Sequence, residues 1–271
     1  MKAEIKSFEI KDIKVISNLF PSDWDFDFEK FISQHINFDY FKAYILSINN
    51  KTIGFGNLMV FEKIAWIGNI VVAKEFRNQG LGTYITRHLI DVGKEKGIET
   101  FNLIATELGE SIYRKLGFKI ELYYEFFKPY DYSQEFEINK VIRDATESDL
   151  QKIVELDFYV TSEKRECLLK SFLITTKLIF NENNKLGGFY IENFENGLVI
   201  SIEPDLGIEL LKLKLNNNRK NIVITETNIA AKDFLMENEY KKYKNAPRMI
   251  LGKKYDWKSE NIFSRASGCC G

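Results

Sequence analysis

The chain has 271 residues, 45% of them hydrophobic, enough to bury the core of one to two domains. Its 38 Lys and Arg offset 39 Asp and Glu, and a net charge of −1 leaves no basic footprint for nucleic acid. No apolar run approaches the ~18 residues of a membrane span. The opening Met1–Lys6 carries charges where a signal peptide needs an apolar stretch, so a cytoplasmic location is expected. Cys167 and the pair Cys269–Cys270 make no disulfide framework, and no C-x-x-C or neighbouring His points to a metal.

In chain order, apolar spacing predicts helices over 11–19 and 24–34, the second with Phe28, Phe31 and Ile32 on one face. Strands are expected over 42–48, 52–61 and 64–73, the last from the β-branched run Ile67, Ile70, Val71 and Val72. A two-glycine turn follows, then a helix over 82–96 with Ile85, Leu89, Ile90 and Val92 inward. A strand over 99–105, a short helix ended by Gly117 and a strand over 119–127 complete this half as a mixed α/β sheet flanked by helices.

The turn between strand 64–73 and its helix carries the chemistry. Glycines at a helix N-terminus let several unpaired N–H groups approach an anion, and Arg77 adds a guanidinium at the same mouth. A dinucleotide loop would need a small residue where Ile85 stands, and no G-x-x-x-x-G-K-S/T string occurs. What remains is R-x-x-G-x-G, filled by Arg77, Gly80 and Gly82. A second segment, Ile104–Phe118, ends in Leu116-Gly117-Phe118, with Tyr113 four residues before the glycine.

Together these segments resemble the two signature motifs of the GNAT superfamily, the acyl-CoA-dependent N-acyltransferases. The resemblance implies that acetyl-CoA is the co-substrate, with no metal. Its pyrophosphate would be held by Arg77, Asn78, Gln79, Gly80, Leu81, Gly82 and Thr83, with Thr106 also at the cofactor. The pantetheine arm would pair with the backbone of Ile70, Val71 and Val72, whose N–H groups would polarise the thioester carbonyl. Tyr113 would protonate the departing thiolate, acting as general acid for direct attack by a primary amine. Two other readings stay open: a non-catalytic acyl-CoA-binding sensor, and a protein-lysine acetyltransferase. The expected partners are acetyl-CoA and a small amine, with no nucleic acid and no membrane; a homodimer is left open.

After Pro129–Gln134 the periodicity lapses until about Val141, and Thr146–Asp149 has the form of a capping box. The element order then repeats. Registered on the first half, Asn228 takes the place of Thr106, Ala231 of Gly109, Leu235 of Tyr113 and Tyr240 of Phe118. The glycine loop has become Glu203-Pro204-Asp205-Leu206-Gly207, whose acids repel pyrophosphate. Pro247–Gly252 resembles the closing strand of GNAT proteins that carry such a second domain. The expected fold is therefore α/β (α+β), two GNAT-like domains of mostly antiparallel twisted sheet. The division is 1–132 catalytic, 140–256 degenerate and 257–271 a C-terminal tail.

Smaller features have plain readings. Cys167 is expected to pack within a helix, and Cys269–Cys270 to be mobile between flanking glycines. His88 reads as a solvated or half-buried helix residue. Asp25, Asp27 and Glu29, in the segment that His35 ends, are either a solvated helix face or an acidic mouth for a cationic amine.

Overall fold

The structure is a computed structural model, and it describes residues 3–21, 24, 26–131, 133–217 and 221–270. The backbone divides into two compact units. Among the described residues the first comprises those up to 120, 249–254 and 268–270, and the second 121–248 and 255–267. The architecture is mixed α/β, with mostly antiparallel sheets flanked by helices. Among the described residues, no helix is long and apolar enough to cross a membrane.

The first unit runs β1 (Glu4–Ser7), α1 (Ile13–Ser17), α2 (Phe28–His35), β2 (Phe41–Ile48), β3 (Lys51–Phe61), β4 (Ile64–Val72), α3 (Leu81–Glu95), β5 (Thr100–Ile104) and α4 (Glu107–Lys115). Its strands lie in the order β1-β2-β3-β4-β5, antiparallel until β5 joins β4 in parallel. A parallel step needs a crossover, and α3 supplies it. Ile85, Leu89 and Ile90 recur at helical spacing on α3 and are buried, Leu89 and Ile90 in a core with Leu58, Ile67, Phe101 and Leu103. Asp27 caps α2 by accepting from the Lys30 N–H at 2.9 Å.

The division falls inside β6 (Lys119–Pro129), whose first two residues belong to the first unit. The second unit continues with β7 (Ile142–Asp144), α5 (Leu150–Thr161), α6 (Glu166–Ser171), β8 (Thr176–Phe180), β9 (Leu186–Ile191), β10 (Leu198–Ser201) and α7 (Pro204–Asn217). It ends with β11 (Ile222–Thr225), α8 (Ile229–Glu237), β12 (Tyr240–Gly252) and β13 (Ile262–Ser264). Within it β13-β10-β9-β8-β7 form one sheet, while β6 lies between β12 and β11. The capping box is present, Thr146 and Asp149 bonding each other's backbone ahead of α5. Asn228 accepts from the Ala231 N–H at 2.9 Å to open α8.

Two expectations about cysteines are corrected. Cys167 is exposed on α6, because the neighbouring Leu168 and Leu169 take the buried face. Cys269 and Cys270 are not a mobile pair. β13 pairs with β10, and Cys269 and Cys270 are 1% and 0% exposed, so apolar burial holds a segment whose glycines alone could not.

Gly207 explains itself through β13. A Cβ there would lie 2.3 Å from the Phe263 ring, so the residue is small to let α7 approach. Gly207→Ala is expected to cost ~1–3 kcal/mol by overpacking, seen as a lower urea midpoint with unchanged slope. An unchanged midpoint would show that Phe263 moves aside freely.

Candidate active site

The candidate site is built on β4. Val71 and Gly68 on this strand face Phe55 and Asn57 on β3, so Asn69 and Ile70 together oppose the single residue Gly56. This is a β-bulge, with Asn69 in the left-handed region at φ 54°, a conformation asparagine tolerates better than most residues. The Asn69 side chain donates to Asn57 Oδ1 at 2.9 Å and ties the bulge to β3. On the other edge, pairing with β5 runs from Ile64↔Thr100 to Trp66↔Asn102 and stops. Beyond it β4 has no strand partner on that side among the described residues. The two strands thus part at the segment that holds Ile70, Val71 and Val72.

The next turn leads into α3 with two left-handed residues, Asn78 (φ 61°) and Gly80 (φ 78°). Nothing lies within 4 Å of where a Gly80 Cβ would stand, so this glycine is required by its backbone conformation, not by crowding. The first intrahelical bond runs from the Tyr84 N–H to the Gly80 carbonyl, and no side chain caps the helix. The N–H groups of Leu81, Gly82 and Thr83 therefore point out of the helix end with no partner among the described residues, at the positive end of a 15-residue helix. Unpaired amides at such an end form an anion seat. Arg77 stands beside it half-buried. Its Nε donates to the Val72 carbonyl at 3.0 Å, locking the turn against β4, and its terminal nitrogens make no hydrogen bond among the described residues. Asn78, Gln79 and Gly80 are exposed at the same turn, with Gln79 Nε2 3.5 Å from the Glu75 carbonyl.

Thr106 opens α4, its hydroxyl oxygen accepting from the Gly109 N–H at 3.2 Å. Its acceptor capacity therefore serves the helix cap. Tyr113, on the last turn of α4, is 8% exposed. It packs in the core with Leu58, Leu89, Leu103 and Phe118, the Phe118 ring 5.9 Å away. Burial pushes its phenol up to about 12, so it stays protonated through neutral pH.

The remaining candidates separate. His35 is fully buried and hydrogen-bonded through Nδ1 to the Tyr40 hydroxyl at 3.0 Å. The half-buried His88 packs edge-on against Tyr44, and burial lowers its pKa. Asp27 is engaged as a helix cap, Glu29 is exposed, and Asp25 lies outside the described residues. The bulge at Asn69 and the Asn57 side chain beside it escaped the sequence reading. An asparagine after Gly68 in a β-branched run is the one signal that could have marked them.

Residues 39–120 match the acetyltransferase (GNAT) domain family. The matched stretch spans β2 to the start of β6, and with them the bulge, the anion seat and Tyr113. The chain is 31% identical over 71 residues to the uncharacterized protein YyaT of Bacillus subtilis (strain 168), a match covering 26% of this chain and 48% of that relative's length. Among solved structures it superposes on a candidate acetyltransferase from Pyrococcus horikoshii with a TM-score of 0.84 at 19% identity, over 99% of this chain and 96% of that one. It is also similar to the GCN5-related glucosamine N-acetyltransferase region of a fungal multi-domain GH3 β-N-acetylglucosaminidase. That likeness has a TM-score of 0.67 at 11% identity, over 92% of this chain and 38% of the other. These structural likenesses speak for the fold.

Proposed function

We propose that the GNAT domain transfers an acetyl group from acetyl-CoA to a primary amine. The observation that carries this reading is the adjacency of a splayed, bulged β4 to three unpaired amides at the start of α3. One element offers a strand edge for an amide-bearing arm, and the next offers a seat for a phosphate, which is the composition of an acyl-CoA. The thioester supplies the activated acyl group, and the chain supplies placement.

On this reading Arg77 to Thr83 neutralise the pyrophosphate, and backbone groups of Ile70 to Val72 align the arm and polarise the carbonyl. Thr106 holds α4 in place, so its part is positioning. Tyr113 gives its proton to the leaving thiolate, and its burial keeps the donor form populated. Orientation of two bound reactants alone is worth effective molarities of roughly 10⁵ M or more. The second unit, with Leu235 where Tyr113 would stand and acids in place of the phosphate loop, serves as a non-catalytic copy in a cytoplasmic enzyme.

The test is release of CoA thiol from acetyl-CoA across a panel of small primary amines and a lysine peptide. Amine-dependent release with equimolar N-acetyl product supports the reading. Tight acetyl-CoA binding with no release for any amine would leave a sensor in its place.

A further inference from the structure

Cys269 lies directly on β4. A Cβ built on Gly68 would stand 2.2 Å from Cys269 Cβ, 3.1 Å from its Cα and 3.6 Å from Asn57 Nδ2. Gly68 is therefore glycine because the backbone of another segment occupies the space over it. That segment, Gly268–Cys270, belongs to the same compact unit as β4. The contact is one residue before the bulge at Asn69, and about 7 Å along the strand from Ile70 at ~3.3 Å per residue.

The face matters as much as the position. Asn57 opposes Gly68, so the two share a face of the sheet, and Phe55 lies on that face by alternation. Gly56 points the other way, toward Ile85 and Leu89 of α3. Cys269 thus sits on the side of β4 opposite the helix whose N-terminus offers the anion seat. A donor held by α3 and a nucleophile on the opposite face would meet at the splayed strand. On the same face, next to Gly68, Asn57 is fully buried and its Nδ2 has no hydrogen-bond partner among the described residues. An unspent donor in a dry site is costly unless something comes to accept from it. A thioester carbonyl, neutral and able to accept, fits that donor.

We propose that Gly268–Cys270 occupies the acceptor side of the site and that the Cys269 thiol is an internal acyl acceptor. This rests on the acetyl-CoA reading above. In the step, Cys269 Sγ bonds to the acetyl carbon, the carbon–sulfur bond to CoA breaks, and the Cys269 proton ends on the CoA thiol. One thioester replaces another with no net oxidation, so the exchange is close to balanced. Occupancy follows the ratio of acetyl-CoA to CoA and reverses when CoA is added. Burial shields the S-acetyl group from water.

The experiment incubates the full chain with acetyl-CoA carrying a labelled acetyl group, quenches in acid, and locates the label by peptide mass spectrometry. Binding of acetyl-CoA is measured alongside by calorimetry. Hydroxylamine-labile label on Cys269, reversed by free CoA and lost in Cys269→Ala, is the expected result. Binding without label at Cys269 overturns the internal acceptor while leaving the amine transferase standing. So does label spread equally over Cys167, or unchanged in the denatured chain, since both are chemical acylation. No binding overturns the acetyl-CoA reading itself, and the proposal with it.

Discussion

Thr83→Asp is expected to stabilise the protein alone and to remove its response to acetyl-CoA. Thr83 is the third residue of α3, where an acid meets three unpaired amides and the positive helix end. Such a placement adds ~0.3–1 kcal/mol to the folded state. The same carboxylate occupies the seat assigned to pyrophosphate and repels it. A ligand at ~100 times its dissociation constant stabilises wild type by roughly 2.7 kcal/mol, and the variant should lose that increment. The opposite signs separate a blocked site from a damaged fold. Thr83→Asn, similar in size and uncharged, should keep the ligand response. Thermal melts with and without acetyl-CoA decide it, and equal ligand shifts in Thr83→Asp and wild type would move the phosphate elsewhere.

Tyr113→Phe should lower turnover by about 10²-fold or more while leaving acetyl-CoA affinity nearly unchanged, as expected of a group that acts on the proton and not on binding. Unchanged turnover would mean that another group or water supplies the proton. The same variant carries an independent pH signature. In the unfolded chain a tyrosine titrates near ~10, whereas burial raises Tyr113 to about 12. The folded state then holds a proton that the unfolded state has lost. This contribution is fully present below pH ~10 and disappears as pH rises through 12, on the order of 3 kcal/mol in all. Denaturant titrations of both proteins should show the wild-type advantage over Tyr113→Phe shrinking across that window. Tyr124 and Tyr190, also raised by burial, are common to both chains and cancel.

Several elements of the candidate site were legible in the residues. Gly80 and Gly82 marked the turn that opens α3, where Gly80 takes the left-handed conformation, and Tyr113 was picked out by the resemblance of its segment to a family motif. Thr106 and Asn228 stood at equivalent places in the two halves, and each caps its helix through its side-chain oxygen. Other assignments failed where local sequence carries no information. Nothing in Cys269-Cys270 between glycines announces burial, which arises from contact with Gly68, some two hundred residues away in the chain. Cys167 lies among apolar neighbours, yet the helix phase that buries Leu168 and Leu169 turns it to solvent.

The sequence by itself determined the alternation of strands and helices, the glycine turn that opens α3 and the side-chain caps at Thr106 and Asn228. All of these depend on contacts between residues a few positions apart, where periodicity, capping chemistry and glycine's backbone freedom act directly. Only the tertiary structure decided where β4 leaves β5, which residue forms the bulge, how deeply Tyr113 is buried and what lies over Gly68. Those outcomes depend on packing between distant segments, whose geometry is shared by many residues and written in none of them singly.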